Sequence, residues 1–295
     1  MENKRILFSL IVVAVLLFAA SRVVDLNETW NVLIKADLAL LLLAVFLEVI
    51  SLGLKTLRWD ILLKEVNSKV GIFELFKIQV AGTAISNLTP ARIGETSKSL
   101  YLEKHGLKKR FTLLTILWER LLDFFAIIIF STLIVSSYGG LMLLALAFVA
   151  VLALITYHID KLIKLISRIK RLSFLGEFAM HKFSKATLSK SFFVTLFAWF
   201  FDFLAIAIAF HAAGVKLNIV QIIGASAISL VVGILSTIPG GLGSMEATLY
   251  LLLNGTSTPY PIVVFAAAFV AARIVTIGVI FIIGAVAAMT LKKQS

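Results

Sequence analysis

Apolar runs long enough to cross a bilayer recur along the chain, near 6–24, 36–54, 112–137, 139–158, 191–213 and 259–290. A spanning helix needs about 20 apolar residues, so these runs predict about six full transmembrane helices. Two further apolar segments, 71–103 and 215–254, are interrupted by helix-breaking residues. The first break is Pro90-Ala91-Arg92-Ile93-Gly94-Glu95, followed by Leu100-Tyr101-Leu102. The second is Pro239-Gly240-Gly241-Leu242-Gly243 with Glu246, followed by Leu249-Tyr250-Leu251. One offset of 149 residues carries Pro90 onto Pro239, Gly94 onto Gly243 and Tyr101 onto Tyr250. Irregular backbone at membrane depth is tolerated only where protein buries it or a polar cavity receives it. Matched Gly/Pro-interrupted segments in two halves of a chain are a signature of a transporter's binding site.

Basic residues supply an orientation, because cytoplasmic loops are rich in Lys and Arg. Lys4 and Arg5, then Lys55, Arg58, Lys64 and Lys69, then Lys98, Lys104, Lys108, Lys109 and Arg110, then the loop from Lys161 to Lys190, and finally Lys292 and Lys293, fall on one side if 71–103 enters and leaves by the cytoplasmic face. The other side keeps Arg22, Lys35 and Lys216. Segment 215–254 must then enter and leave from outside. The expectation is an all-α polytopic protein of the plasma membrane with both termini cytoplasmic. Its halves, about 36–137 and 191–290, form an inverted-topology repeat, joined by a connector helix and basic cytoplasmic loop over 138–190. The second limbs of the interrupted segments, about 91–103 and 242–254, are short, which predicts re-entrant or short-helix hairpins. Full crossings there would give ten spans of the same parity, so the chain has eight to ten hydrophobic segments in one domain, 1–295. The run 6–24 is long and lacks a small-x-small cleavage pattern, so it reads as a retained helix.

Composition narrows the chemistry. The formal charge of +12 is accounted for by cytoplasmic loops, not by nucleic-acid binding. In the central loop Ile159, Leu162, Ile163, Ile166 and Ile169 recur at helical spacing, opposite Lys161, Lys164, Arg168 and Arg171. This predicts a basic amphipathic helix lying on anionic lipid, with loop 159–190 as the lipid-facing surface. The absence of cysteine removes disulfides and thiolate metal sites. No G-x-x-x-x-G-K-[ST] phosphate loop occurs, and His105, His158, His181 and His211 have no metal spacing. No cofactor, metal or catalytic triad is expected.

Ionisable residues within apolar runs carry functional expectations by default. Glu119, Arg120 and Asp123 sit inside 112–137. Glu119 and Asp123 are i and i+4 on a helix and share a face, and Arg120 can pair with Asp123 at i+3. Arg273 lies in the last long run, Arg92, Glu95 and Glu246 lie in the breaks, and Asp202 lies in the fifth run, with Glu48 and Lys77 nearer segment ends. A guanidinium binds phosphate through two parallel hydrogen bonds, and free backbone N–H groups at a half-helix add an anion site. The candidate substrate-binding set is therefore Arg92, Glu95, Glu119, Arg120, Asp123, Glu246 and Arg273. The candidate hairpin backbone is Pro90, Gly94, Pro239, Gly240, Gly241 and Gly243. The competing reading is an internal ion-pair network that holds helices together.

Arg58-Trp59, the stretch Asn87 to Glu95, Glu119-Arg120 with Asp123, and Pro239-Gly240-Gly241-Leu242-Gly243 with Glu246 together resemble the transmembrane, or flippase-domain, family of lysylphosphatidylglycerol synthases. The resemblance covers nearly the whole chain. In the namesake bacterial proteins this membrane domain translocates an aminoacylated phospholipid that a separate soluble domain makes. These 295 residues leave no room for that soluble domain, so synthase activity is not expected. The resemblance implies a flippase-like transporter of a phosphate-bearing lipid and no enzyme. The alternatives are an intramembrane enzyme using Glu119 and Asp123 on a lipid-linked substrate, or a non-transporting membrane subunit.

Overall fold

A computed structural model of the protein describes residues 25–135, 183–254 and 260–293. The expected first helix at 6–24, the connector helix at 139–158 and the basic loop over 159–182 lie outside the described residues; the end of the expected loop, 185–190, is helical, capped by Ser184. All regular structure among the described residues is helical.

Two aspartates start the first two helices. Asp25 Oδ1 accepts from the N–H groups of Asn27 and Glu28 at 2.9 and 3.0 Å, opening α1 (Leu26–Ile34). Asp37 Oδ1 accepts from Ala39 and Leu40 at 2.9 and 3.2 Å, opening α2 (Leu38–Glu65). Each cap satisfies amide groups that the helix cannot. Residues 25–37, between the first two apolar runs, therefore hold a short helix. The run expected to end at 54 continues to Glu65, because nothing in Lys55 to Lys64 breaks a helix, and Asn67 then turns with φ 61°.

α3 (Ile72–Asn87) ends ahead of Pro90, which holds Thr89 extended at φ −112° and ψ 143°. A 3₁₀ helix over Pro90–Ser97 leads into α4 (Lys98–Lys104) and then α5 (Lys109–Val135). The second half follows the same order: α6 (Lys185–Ala212), α7 (Ile219–Leu235), a 3₁₀ turn at Pro239–Gly241, α8 (Ser244–Asn254), and a long helix. That last helix is α9 (Ile262–Arg273), a π turn at Ile274–Gly278, and α10 (Val279–Lys293). In the π turn the Val279 N–H donates five residues back, to Ile274 O.

Among the described residues three helices are long and apolar enough to cross a membrane: Leu38–Glu65, Lys185–Ala212 and Ile262–Leu291. α5 has 27 residues, about 40 Å at 1.5 Å per residue, but carries Glu119, Arg120 and Asp123. α2 and α6 pack along each other. α6 also packs on α9, and small residues line both helices: Ala205, Ala207 and Ala209 on α6, and Ala267, Ala268 and Ala271 on α9, are buried. Phe210 and Phe265 join these helices edge to face, with centroids 6.3 Å apart. Leu42, Phe46, Phe193, Phe197, Ile282 and Val286 point outward and stay exposed. A large outward apolar surface of this kind needs lipid against it.

Candidate functional site

The first charged cluster is built around α5. Arg58, from α2, has no exposed surface, and its guanidinium donates to Glu119 Oε1 at 2.7 Å and to Asp123 Oδ1. Lys98, at the start of α4, is equally buried. Its ammonium donates to Glu119 Oε2 at 3.1 Å and to Gln79 Oε1 at 2.8 Å, and sits 4.7 Å over the Trp59 ring. Arg120 Nη2 reaches Glu95 Oε2 at 3.1 Å and Asp123 Oδ2 at 2.8 Å. The Trp199 indole N–H donates to Asp123 Oδ1 at 2.7 Å. Three cations and three carboxylates thus close on one another with no net charge. Burying any one alone would be costly, and the mutual pairing is what makes the cluster tolerable.

The second cluster belongs to the other hairpin. Arg273 Nε donates to Glu246 Oε1 at 2.7 Å, and its Nη1 donates to Gly240 O at 3.0 Å. Glu246 Oε2 in turn accepts from the Gly243 N–H at 2.7 Å. This fold of the backbone depends on Gly240, Gly241 and Gly243, at φ 63°, 63° and 81°, where side-chain-bearing residues are strained. In each half, then, an arginine on the last long helix holds the glutamate of its own hairpin: Arg120 with Glu95, Arg273 with Glu246.

The two breaks meet. A Cβ on Gly240 would lie 3.7 Å from Asn87 O, at the end of α3. Thr89 and Asn87 share a small cavity of about 20 Å³ with Gly240 and Gly241. It adjoins a larger cavity of about 80 Å³, whose lining includes Glu48, Lys55, Asn87, Asp202, Gly240 and Arg273. Lys55 pairs with Asp202 and lies 4.7 Å over the face of Trp199. Trp199 therefore touches both the cavity and the six-charge cluster.

The expected residues do not gather into one group. Glu95, Glu119, Arg120 and Asp123 come together, while Glu246 and Arg273 form a separate pair. Arg273 lines the large cavity and Arg120 does not. Arg92 is placed by its backbone within the 3₁₀ helix; its side chain lies outside the described set. Lys55, Arg58 and Lys98, counted from sequence as charges of a cytoplasmic surface, are instead packed between helices. Sequence reasoning missed Lys98, Gln79, Trp199 and Lys55 as members of the site. The unbroken helical pattern from Leu38 to Glu65 was the signal that would have drawn Lys55 and Arg58 inward.

Charge pairs packed between apolar helices, beside broken backbone and a cavity that carries charged groups, define a multi-pass helical membrane protein. The chain belongs to the family described as lysylphosphatidylglycerol synthase TM region, which it matches over residues 6–291. It is similar to a UPF0104 membrane protein of Methanothermobacter thermautotrophicus, 26% identical across 94% of this chain and 93% of that protein. It is also similar to UPF0104 membrane protein MJ1595 of Methanocaldococcus jannaschii, 22% identical across 97% and 94% of the two chains. UPF0104 membrane protein PH1989 of Pyrococcus horikoshii is 24% identical across 75% and 78%.

Proposed function

We propose that this protein moves a phosphate-bearing lipid headgroup between membrane leaflets. The observation that carries this reading is the polar cavity at the meeting point of the two broken segments, lined by Lys55 and Arg273. Both cations are held by carboxylates, Asp202 and Glu246, that an entering phosphate would displace. Arg273 offers the planar two-point grip that phosphate favours. The acyl chains stay in lipid while the headgroup crosses, and the halves rock as an inverted repeat. The recurrence of element order and the two arginine–glutamate contacts support that symmetry. The protein acts as a transporter of the plasma membrane, makes and breaks no covalent bond, and rests its loop 159–190 on anionic lipid.

The six-charge cluster favours a different role for its members. Arg120, Glu95, Glu119 and Asp123 are spent on one another and on Arg58 and Lys98, so in this reading they position the first hairpin and do not grip phosphate.

The test is headgroup-labelled phospholipid in vesicles that contain the purified protein. Translocation should exceed that of protein-free vesicles and should need Arg273. Equal rates with and without protein would overturn the proposal, and covalent turnover of the lipid in detergent would favour an enzyme.

Orientation is checked with single cysteines, which this cysteine-free chain makes clean. Cysteines at Lys108 and Lys185 should react with an impermeant thiol reagent from the cytoplasmic side, and one at Ser257 from the outside. Labelling of positions 108 and 257 from the same face would defeat the inverted repeat.

The hairpins have their own test. A Cβ on Gly94 would lie 2.7 Å from Ile85 O, so the 3₁₀ segment can pack there only without a side chain. Gly94→Leu and Gly243→Leu should each abolish translocation while membrane insertion and yield stay near normal. Normal transport by both variants would remove the hairpins from the site.

A further inference from the structure

Glu48 lies on α2 with no exposed surface, and neither carboxyl oxygen has a hydrogen-bond partner. Its side chain lines the 80 Å³ cavity, as does Ser226, whose hydroxyl is also without a partner. The charged groups whose fields reach Glu48 are Asp202, from α6, and Lys55, two turns along its own helix. Arg273, from α9, lines the same cavity. The other elements around that space offer only uncharged polar groups: Thr83 and Asn87 on α3, Ser226 on α7 and Thr276 in the π turn. Lys55 is committed to Asp202 and Arg273 to Glu246. Among the described residues no cation is left for Glu48. A lone carboxylate sealed in such a place is strongly disfavoured, whereas the neutral acid needs no counterion. The charges around the cavity therefore cancel only when Glu48 carries a proton.

We propose that Glu48 is a proton-binding carboxyl that couples transport to a proton gradient, one proton travelling with each phosphate headgroup. The proposal rests on the transport reading above. With Glu48 ionised, the cavity holds a surplus negative charge and repels a phosphate. With Glu48 protonated, the cavity is neutral, and Lys55 and Arg273 are free to exchange their carboxylates for the headgroup. The step is a plain proton transfer. The carboxylate takes a proton from water on the side where the headgroup enters and returns it to water on the side where it leaves.

Two measurements on the full-length protein test this. In vesicles containing headgroup-labelled phosphatidylglycerol, with the membrane potential clamped, an imposed pH gradient should drive translocation toward the alkaline side. The dependence should approach the one-proton limit of about tenfold per pH unit. In Glu48→Gln the rate should be the same at every imposed gradient, while Lys64→Gln, at an exposed position, should respond as the natural protein does. A gradient response that survives in Glu48→Gln, or a natural protein that moves lipid with no response, overturns the proposal. Infrared difference spectroscopy of the protein in lipid discs supplies a readout that needs no transport. A carboxylic-acid C=O band at neutral pH should be present and should vanish in Glu48→Gln; its absence from the natural protein also overturns the proposal. A protein that carries no lipid but shows the Glu48 band would retain the proton site and refute coupled transport.

Discussion

Arg58→Met is expected to cost about 3–5 kcal/mol of stability, the penalty for leaving buried charge without its partner. The mutation removes the cation that touches both Glu119 and Asp123, and the cluster is left with a net charge of −1. Methionine fills much of the space, so packing loss is the smaller part. The double variant Arg58→Met/Asp123→Asn returns the cluster to neutrality with two complete pairs, Arg120 with Glu95 and Lys98 with Glu119. Asparagine can still accept from the Trp199 indole. More than half of the lost stability should come back. Arg58→Lys should fall between, because a single ammonium cannot hold two carboxylates in a fixed fork. Thermal loss of the monodisperse peak in detergent measures all three. An Arg58→Met protein that melts with the natural one would mean that the buried pairs of Arg58 do not hold the helices together.

Arg273→Lys should do the reverse, hurting transport and sparing the fold. Arg273 and Glu246 keep 23% and 25% of their side-chain surface exposed. A pair that wet contributes about 0.2–1 kcal/mol, so the melting temperature should barely move. Transport depends on something else, the paired donors that a phosphate would take over from Glu246 and Gly240 O. Lysine keeps the charge and loses one charge-assisted hydrogen bond, about 1.5–3 kcal/mol. That corresponds to about a tenfold to hundredfold fall in rate. Arg273→Gln should be slower still. If Arg273→Gln/Glu246→Gln restores transport, the pair is a brace and the phosphate is held elsewhere.

The helix breaks were legible in the sequence because their chemistry is local. Proline fixes its own φ and steers its predecessor away from the helical region, and three glycines within 240–243 permit the left-handed backbone found there. The shared face of Glu119 and Asp123 was equally local, a matter of helical spacing. The i+3 pair of Arg120 with Asp123 was legible too, but not which cation answers which carboxylate from one helix to another. Arg58 lies 61 residues from Glu119, and Lys98 lies 21 residues from it. Pairing across such separations is decided by helix packing, which leaves no mark in a one-dimensional pattern. A lysine at the edge of an apolar run also reads the same whether it faces cytoplasm or, like Lys98, a buried glutamate. Arg120 follows Pro90 by 30 residues and Arg273 follows Pro239 by 34, so the two occupy similar places in the sequence. Their hairpin contacts are alike, but one joins a cluster of buried charges and the other borders a cavity. That difference comes from what the opposite half presents to each.

The π turn at Ile274–Gly278 gives the last helix slack in its length. On its early side Arg273 grips the second hairpin. On its late side Gly284 lies so close to α3 that a Cβ there would fall 2.8 Å from the Ala84 methyl. One surplus residue sits in the turn between those two engagements. Loss of a single codon between 274 and 278 would restore an ordinary helix with little rotation of α10, because five residues of a π turn and four of an α-helix cover about the same rotation. Gly284 would still face α3, with the hairpins themselves untouched. A one-residue change in length, which elsewhere in a span would turn every later side chain by about 100°, is here absorbed locally, so the two halves stay geared to one another.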